Sequence, residues 1–540
     1  MKAGGGLGPA QRAVLLIVLA TSLAFAFQGS RGLYETTEGR YAESAREMLE
    51  TGDWLVPRLD YEPHWTKPPL TYWALAGGMA LLGENEWGVR AAPALAYLIL
   101  VAAVYGLGAA MWGRRTAFAA ALVYATCPFA VVAANSVSTD PFLAMWEALT
   151  ALAYWRALRA CEGTPSRVAP EERPESPASP AAEAVGAALD VIPAGTPSGA
   201  SGRWIVLVWL FAGLGFLTKG PPALLTLLVI FIYHGWRLAT RRPGPALASK
   251  VGIPLFLVTA FGWFIVVGVM HEGLLTRLIS EEVVGRVSDP SFNRNPQWYG
   301  PFVALLLPFV LGLGPWLVYW RGVWMRVSEW SGWRGRAREI VARDAVLFCV
   351  LWAVVPVAVL FTSRSRLPLY VLPFVPALAL ATGRALALYA EAAGSWGRAV
   401  RMAVVTAAVM LTVKGVSAWI PSGSDIRPVY ELVESTGCAG DVYAFGLRKE
   451  HGLMFYLGGD MVRVSADPVQ PYAAMGAAEL VDELAGSPPG ESRCVVMKSK
   501  ETALPVLLSS AGLELTRLDA GRYSVLAVRS RGEAPEAEIP

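Results

Sequence analysis

The residues best placed for chemistry fall in one polar stretch of a mostly apolar chain: YETTEGRYAESAREMLETGDWLVPRLDYEPHWTKPPLTYW, from Tyr34 to Trp73. It carries Glu38, Arg40, Tyr41 and Lys67, and ionisable groups set against a bilayer are costly unless they pair with one another or face water. Further polar groups recur along the chain: Asp140 in NSVSTDP, Lys219 in LTKGPP, Glu282 and Arg286 in EEVVGR, and Arg366 and Tyr370 in SRSRLPLY. A carboxylate among them could take a proton from a hydroxyl, while the cations neutralise a departing phosphate. Each has a plainer reading as well. Glu38 could sit in an ordinary surface loop, Asp140 could cap a helix, Lys219 could snorkel from a helix end, and Arg366 and Tyr370 could anchor the chain at a membrane interface.

The elements that must hold these residues are membrane helices. With 54% hydrophobic residues, 16% charged residues, 20 Trp and a mean hydropathy of +0.43, the 540-residue chain reads as a polytopic membrane protein. The net charge of +3 gives no reason to expect nucleic acid as a partner. Apolar runs near 13 to 27, 90 to 112, 116 to 134, 141 to 158, 204 to 218, 221 to 236, 252 to 270, 299 to 320, 345 to 361, 368 to 388 and 401 to 420 suggest about eleven spans. Lys219 to Pro222 joins two short ones so tightly that a tilted or re-entrant pair is an alternative.

Orientation follows from the basic residues. With the N-terminus cytoplasmic, Arg114 and Arg115, Arg156 and Arg159, Arg237 with Arg241 and Arg242, and the cluster from Arg321 to Arg343 all lie inside. That order holds only if Leu70 to Leu82 does not cross, so it is read as an interfacial helix, preceded by another from Arg40 to Glu50. All the polar motifs then fall at the outer surface of the cytoplasmic (inner) membrane.

Two stretches depart from the apolar pattern. Residues 161–202 are rich in Pro, Ala, Glu and Ser and read as a disordered cytoplasmic loop. Residues 421–540 read as a small extracytoplasmic α/β domain, with amphipathic RPVYELVES and AAELVDELAG alternating with strand-like DVYAFG, CVVMKS and YSVLAV. The expected division is a transmembrane domain over 1–420, with an outer catalytic loop over 30–89, followed by the domain over 421–540. The five cysteines show no CxxC and no His-paired spacing, so a zinc site is not indicated; no cofactor is expected, and the need for a divalent ion stays open. Cys438 and Cys494 both fall in the outer domain, as a disulfide or as two free thiols.

TEGRYAESAREMLETGDWLVPRL, WTKPPLTYW and ENEWGVRAAPAL resemble the DETRYAEIxREML, GDW and EKPPLxYW elements of a known family. These are the GT-C-type membrane glycosyltransferases that include the bacterial aminoarabinose transferases of lipid A and the protein O-mannosyltransferases. SRSRLPLYVLPFVPALAL resembles the same family's SxxKLPxYxLPxxPALAL element, and FLTKGP and EEVVGRV match weaker ones. The resemblance covers about residues 12 to 390. It implies a polyprenyl-phosphate-linked sugar donor and a lipid, glycan or protein acceptor at the outer face of the cytoplasmic membrane. The family's catalytic Asp-Glu pair is Thr37 and Glu38 here. Its EKPP lysine is Lys67 beside Thr66, and Glu282 stands where the family often has His.

An inverting transferase needs a carboxylate to deprotonate the acceptor as the lipid phosphate leaves. Glu38, in the first turn of a helix capped by Thr36 or Thr37, is the leading base and Asp140 the second. Lys67 and Arg40 lead as phosphate ligands, followed by Lys219, Arg286 and Arg366, with Tyr41, Glu282 and Tyr370 completing the substrate-binding set. Two alternatives remain at this stage. A lipid or sugar transporter would place its charges near the bilayer midplane and in repeated halves, and a catalytically altered relative could serve as a scaffold, as Thr37 in the Asp position suggests.

Overall fold

The computed structural model describes residues 8–162, 197–278, 280, 294–320, 344–363, 365–420, 422–488 and 490–530, with side chains from residue 200 onward in the second of these segments. Two compact units emerge: Met1–Ala26, His64–Ala74 and Arg90–Lys414 form the first, and Phe27–Pro63, Leu75–Val89 and Gly415–Pro540 the second. Much of the stretch expected as an outer loop of the membrane domain thus groups with the C-terminal domain.

The first unit is helical. Among the described residues, eight helices are long and apolar enough to cross a membrane: Glu86–Trp112, Ala200–Lys219, Pro221–Ala239, Gly252–Met270, Phe302–Tyr319, Asp344–Thr362, Pro368–Ala392 and Gly397–Ser417. A ninth arises if Arg114–Ala125 and Pro128–Ala134, bent by 62° from one another, count as one span. The apolar run 116 to 134, expected as one span, is broken within: Pro128 has no N–H to continue the ladder and starts a new helix. The Trp316 indole N–H donates to Thr126 Oγ1 at 3.1 Å beside this break. Helix also covers Pro9–Phe25, only 17 residues long, and Asp140–Cys161, which carries four charged side chains.

Most of the expected disordered loop, 163–196, lies outside the described residues, as does the Arg321 to Arg343 cluster. The end of that loop is helical, because the Pro197–Lys219 helix begins before residue 202, with Pro197 in its first position, where proline costs no hydrogen bond. Small residues allow close helix approach. A Cβ on Gly383 would lie 2.4 Å from the Ala120 backbone, so only glycine lets Val375–Ala392 settle on Arg114–Ala125. On Gly252–Met270, Val258, Ile265 and Val269 are exposed, which suits a helix solvated by lipid.

In the second unit, a six-stranded sheet is built from β1 (Val442–Phe445), β2 (Met461–Ser465), β3 (Met475–Gly476), β4 (Ser492–Lys498), β5 (Glu514–Ala520) and β6 (Tyr523–Arg529), in the order β3-β2-β1-β4-β6-β5. β3, β2, β1 and β4 run parallel, and β6 is antiparallel to both β4 and β5. Successive strand residues alternate between two cores. Val442, Ala444, Cys494 and Val496 meet Val429 and Val433 of the Arg427–Thr436 helix, whereas Tyr443, Phe445, Val495 and Met497 meet Leu480 and Leu484 of Ala477–Ala485. Both faces being covered explains why these strands read as continuous apolar runs. A disulfide joins Cys438 and Cys494, their Cα atoms 5.6 Å apart, which decides the open question about these two thiols.

Candidate active site

The candidate residues form two groups, one in each unit. In the second unit, the Thr37–Thr51 helix is built from strong helix formers and stops at Gly52, whose left-handed φ of +66° suits glycine. Glu38 lies in its first turn, 5% exposed. Arg31 grips its carboxylate with both guanidinium ends, Nη1 to Oε2 at 2.6 Å and Nη2 to Oε1 at 3.0 Å, and the Tyr34 N–H donates to Oε2 at 3.1 Å. Arg31 also lies over the Tyr34 ring at 3.9 Å. Thr36 occupies the cap position, but its side chain makes no capping bond; the Tyr34 carbonyl instead accepts the Glu38 N–H at 3.1 Å and the Gly39 N–H at 3.4 Å. Tyr41 is buried, and the Arg40 guanidinium lies 5.4 Å from its ring.

Glu43, Arg46 and Glu47 of this helix are all buried. They are tolerated because they pair internally. Arg46 holds Glu43 through two bonds of 2.7 and 2.9 Å and Glu50 at 2.8 Å, while the Tyr61 N–H donates to Glu47 Oε2 at 3.0 Å. Burial, with Glu43 alongside, pushes the Glu47 carboxyl up to about 8. Asp60 receives two bonds from Arg463, at 2.8 and 3.1 Å, and stands 3.4 Å from His451 Nδ1. The Thr37–Thr51 helix therefore packs as an interior element of its unit, against the His451–Tyr456 helix.

In the first unit, Asp140 opens the Asp140–Cys161 helix and Lys219 closes Pro197–Lys219, and these two helices pack against each other. Their ends meet in an Asp140–Lys219 ion pair, with the Lys219 ammonium 4.5 Å from the centre of the Tyr370 ring. Asp140, Lys219 and Tyr370 are thus brought together from three segments. Lys67 is half-buried, two residues from Trp65, whose ring packs on Trp263 and His271 at 6.3 and 5.0 Å. Arg366 is committed to backbone: Nη1 donates to the Asn295 carbonyl and Nη2 to that of Phe361, both at 3.0 Å. Glu282 and Arg286 lie outside the described residues.

Three residues of interest escaped the sequence reading. Arg31 is one, signalled only by its position seven residues before Glu38. Glu147 is another, two turns along the helix from Asp140, where Thr226 Oγ1 donates to its Oε2 at 2.6 Å and the Trp352 indole N–H donates to that hydroxyl at 3.1 Å; a lone Glu inside an apolar run was the available signal. Glu35 is the third, its Oε1 accepting N–H bonds from Gly452 at 2.5 Å and Leu453 at 3.2 Å. Among the described residues no group of three or more His, Cys, Asp or Glu side chains is set to hold a metal ion.

A family model described as dolichyl-phosphate-mannose-protein mannosyltransferase matches residues 66–164. The undecaprenyl phosphate-alpha-4-amino-4-deoxy-L-arabinose arabinosyl transferase of Pseudomonas savastanoi pv. phaseolicola is 28% identical over 77% of this chain and 68% of its own length. The second such transferase of Pseudomonas fluorescens strain Pf0-1 is 29% identical over 66% of this chain and 56% of its own. The matches thus span between about half and two thirds of these relatives. The crystal structure of ArnT from Cupriavidus metallidurans bound to undecaprenyl phosphate superposes with a TM-score of 0.68 over 96% of this chain and 97% of that one, at 19% identity. The chain has the GT-C fold of that protein and resembles the aminoarabinose and protein mannosyl transferases in sequence.

Proposed function

We propose that this protein is a glycosyltransferase that moves a sugar from a polyprenyl-phosphate donor to a lipid, glycan or protein acceptor at the outer face of the cytoplasmic membrane. The observation that carries this reading is the acid and cation pairing of Asp140 with Lys219 beside Tyr370, on a fold shared with a protein crystallised with undecaprenyl phosphate. The names of the sequence relatives favour a pentosyl donor of the aminoarabinose kind over a hexosyl one.

In the proposed reaction a carboxylate, Glu38 or Asp140, accepts the proton of the acceptor hydroxyl as that oxygen bonds to the anomeric carbon. The bond from that carbon to the phosphate oxygen breaks, and polyprenyl phosphate leaves with the electron pair. Lys67 and Lys219 stabilise the phosphate charge as it develops, and Arg40 is a further ligand. The N-terminus is read as cytoplasmic and the C-terminal domain as extracytoplasmic.

One observation favours a second reading, that of a catalytically altered relative acting as a scaffold. Thr37 stands in the family's Asp position, and the neighbouring Glu38 already accepts two bonds from Arg31 and one from the Tyr34 N–H. A single experiment separates the two. The purified full chain in lipid nanodiscs, given a polyprenyl phosphate carrying a labelled sugar, should release polyprenyl phosphate and label an acceptor in a membrane extract. Release at the uncatalysed rate from every donor tried would overturn the transferase reading in favour of the scaffold or transporter.

A further inference from the structure

The sheet of the second unit has a topological switch point. From β1 the chain goes to β2 on one side and later crosses to β4 on the other, so the connections leave these neighbouring strands in opposite directions. In open α/β sheets ligands bind in the crevice outside the carboxyl ends of the strands at such a point. A cavity of about 440 Å³ lies there. Gly446, Arg448, Lys449 and Glu450, following β1, line it together with Lys498 at the end of β4 and Arg522 and Tyr523 at the start of β6. Glu35 and Thr36 complete the wall, immediately before the helix that carries Glu38.

The charges of this cavity are unequal. Arg448, Lys449, Lys498 and Arg522 are all exposed around it, so four cations face two carboxyls. Glu450 is buried and occupied: it accepts the Lys449 N–H at 2.8 Å and the Tyr523 hydroxyl at 3.2 Å, and stands 3.9 Å from the Lys498 ammonium. Glu35 is held by the Gly452 and Leu453 N–H groups, and burial, only partly offset by the Gly452 bond, pushes its carboxyl up to about 8, so near neutral pH it adds little negative charge. Gly423 leaves room for one of the cations, because a Cβ there would fall 2.7 Å from Arg522 Nε.

We propose that this switch-point cavity binds a phosphate monoester, held by Arg448, Lys449, Lys498 and Arg522. Arginine forks and lysine point charges suit the three oxygens of a terminal phosphate. None of the residues assigned above to the donor phosphate lines the cavity. Its wall at Glu35 and Thr36 sets the bound group next to the loop leading to Glu38, which makes a phosphate-bearing acceptor its natural occupant. That role rests on the transferase reading; the binding itself does not.

The full chain in phosphatidylcholine nanodiscs can be titrated with glucose 1-phosphate by calorimetry, and separately assayed for retention of phosphatidic acid offered in phosphatidylcholine vesicles. The wild type should bind, and Arg448→Ala with Arg522→Ala should weaken binding about 100-fold, roughly ten-fold per lost charged contact. Arg448→Lys with Arg522→Lys should keep most of it, and an unchanged melting temperature excludes unfolding. Loss seen with glucose 1-phosphate supports a soluble source of the phosphate; loss seen only with phosphatidic acid supports a lipid headgroup. If the wild type and the double alanine variant behave alike towards both probes, the proposal fails. Binding without any sugar transfer would instead sink the transferase reading and leave the phosphate site standing.

Discussion

Arg31 spans both oxygens of Glu38, seven residues further along the chain, at 2.6 and 3.0 Å. A carboxylate held this way is stabilised as the anion, so its contacts with Arg31 weaken as it takes up a substrate proton. Glu38→Gln keeps the shape and an oxygen for Arg31 but cannot take a proton, so turnover should fall about 100- to 10,000-fold while donor binding persists. Arg31→Ala should act first on folding, since an unpaired buried carboxylate costs about 3 to 5 kcal/mol. Thermal melting beside single-turnover rates separates the two effects. Normal turnover by Glu38→Gln would return Glu38 to a structural role.

Asp140 and Lys219 are coupled, so their substitutions should not add. Lys219→Ala should weaken donor binding and slow departure of the phosphate, and Asp140→Asn should remove the negative charge that faces the ammonium. If Asp140 is the base, Asp140→Asn falls by the full factor of a lost general base, about 100- to 10,000-fold, while Glu38→Gln turns over normally. Rates of the two single variants and the double variant decide it.

Glu35 gives the second unit a pH dependence of definite sign. Its folded carboxyl stays protonated up to about pH 8, whereas the unfolded chain releases that proton near the ordinary value of 4.5. Between these limits the unfolded state binds fewer protons at this group, so the Glu35 contribution to stability is full below about pH 4.5 and is lost as pH rises to about 8. Glu450, which opposes ionisation, and Arg463, which favours it, are its charged neighbours. Glu47 acts in the same window, so Glu35→Gln should flatten the slope of melting temperature against pH without abolishing it. An unchanged slope would show that the Glu35 carboxyl is not held protonated.

The Cys438–Cys494 bridge closes a sequence separation of 56 residues and should contribute about 2 to 4 kcal/mol to the second unit. Reduction, or Cys438→Ser with Cys494→Ser, should lower its melting temperature accordingly. Such bridges persist in oxidising compartments, so a reporter active only outside the cytoplasm, fused after Pro540, should work. Activity from a cytoplasm-only reporter at the same place would reverse the proposed orientation.

The regular parts of the fold were legible because their periodicity is strong. DVYAFG, CVVMKS and YSVLAV became β1, β4 and β6, and RPVYELVES became the Arg427–Thr436 helix. β2, β3 and β5 were missed: MVRVS is short and interrupted by Arg463, which reaches Asp60, β3 is only two residues long, and ELTRLDA alternates around exposed charges. The Thr37–Thr51 helix was legible in its amphipathic pattern, but the burial of its charged residues was not, because the Tyr61 N–H that meets Glu47 and the His451–Tyr456 helix that packs on it come from elsewhere in the chain. Of the candidate residues, Asp140 and Lys219 could be named separately, but their pairing across 79 positions is a tertiary fact. The locking of Glu38 by Arg31 was equally invisible, since loop residues carry no period from which a contact can be inferred.

The grouping of Phe27–Pro63 and Leu75–Val89 with Gly415–Pro540 has a consequence for how this protein can be recombined with its relatives. A chimaera joined once near residue 420 would separate Arg427 and Tyr456 from Glu86, and Gly452 from Glu35, leaving buried carboxyls on one parental sequence facing strangers from the other. The inheritable module is three pieces of chain. An exchange that carries all three should fold, and one that carries only the last should not, however similar the parents are along their membrane helices.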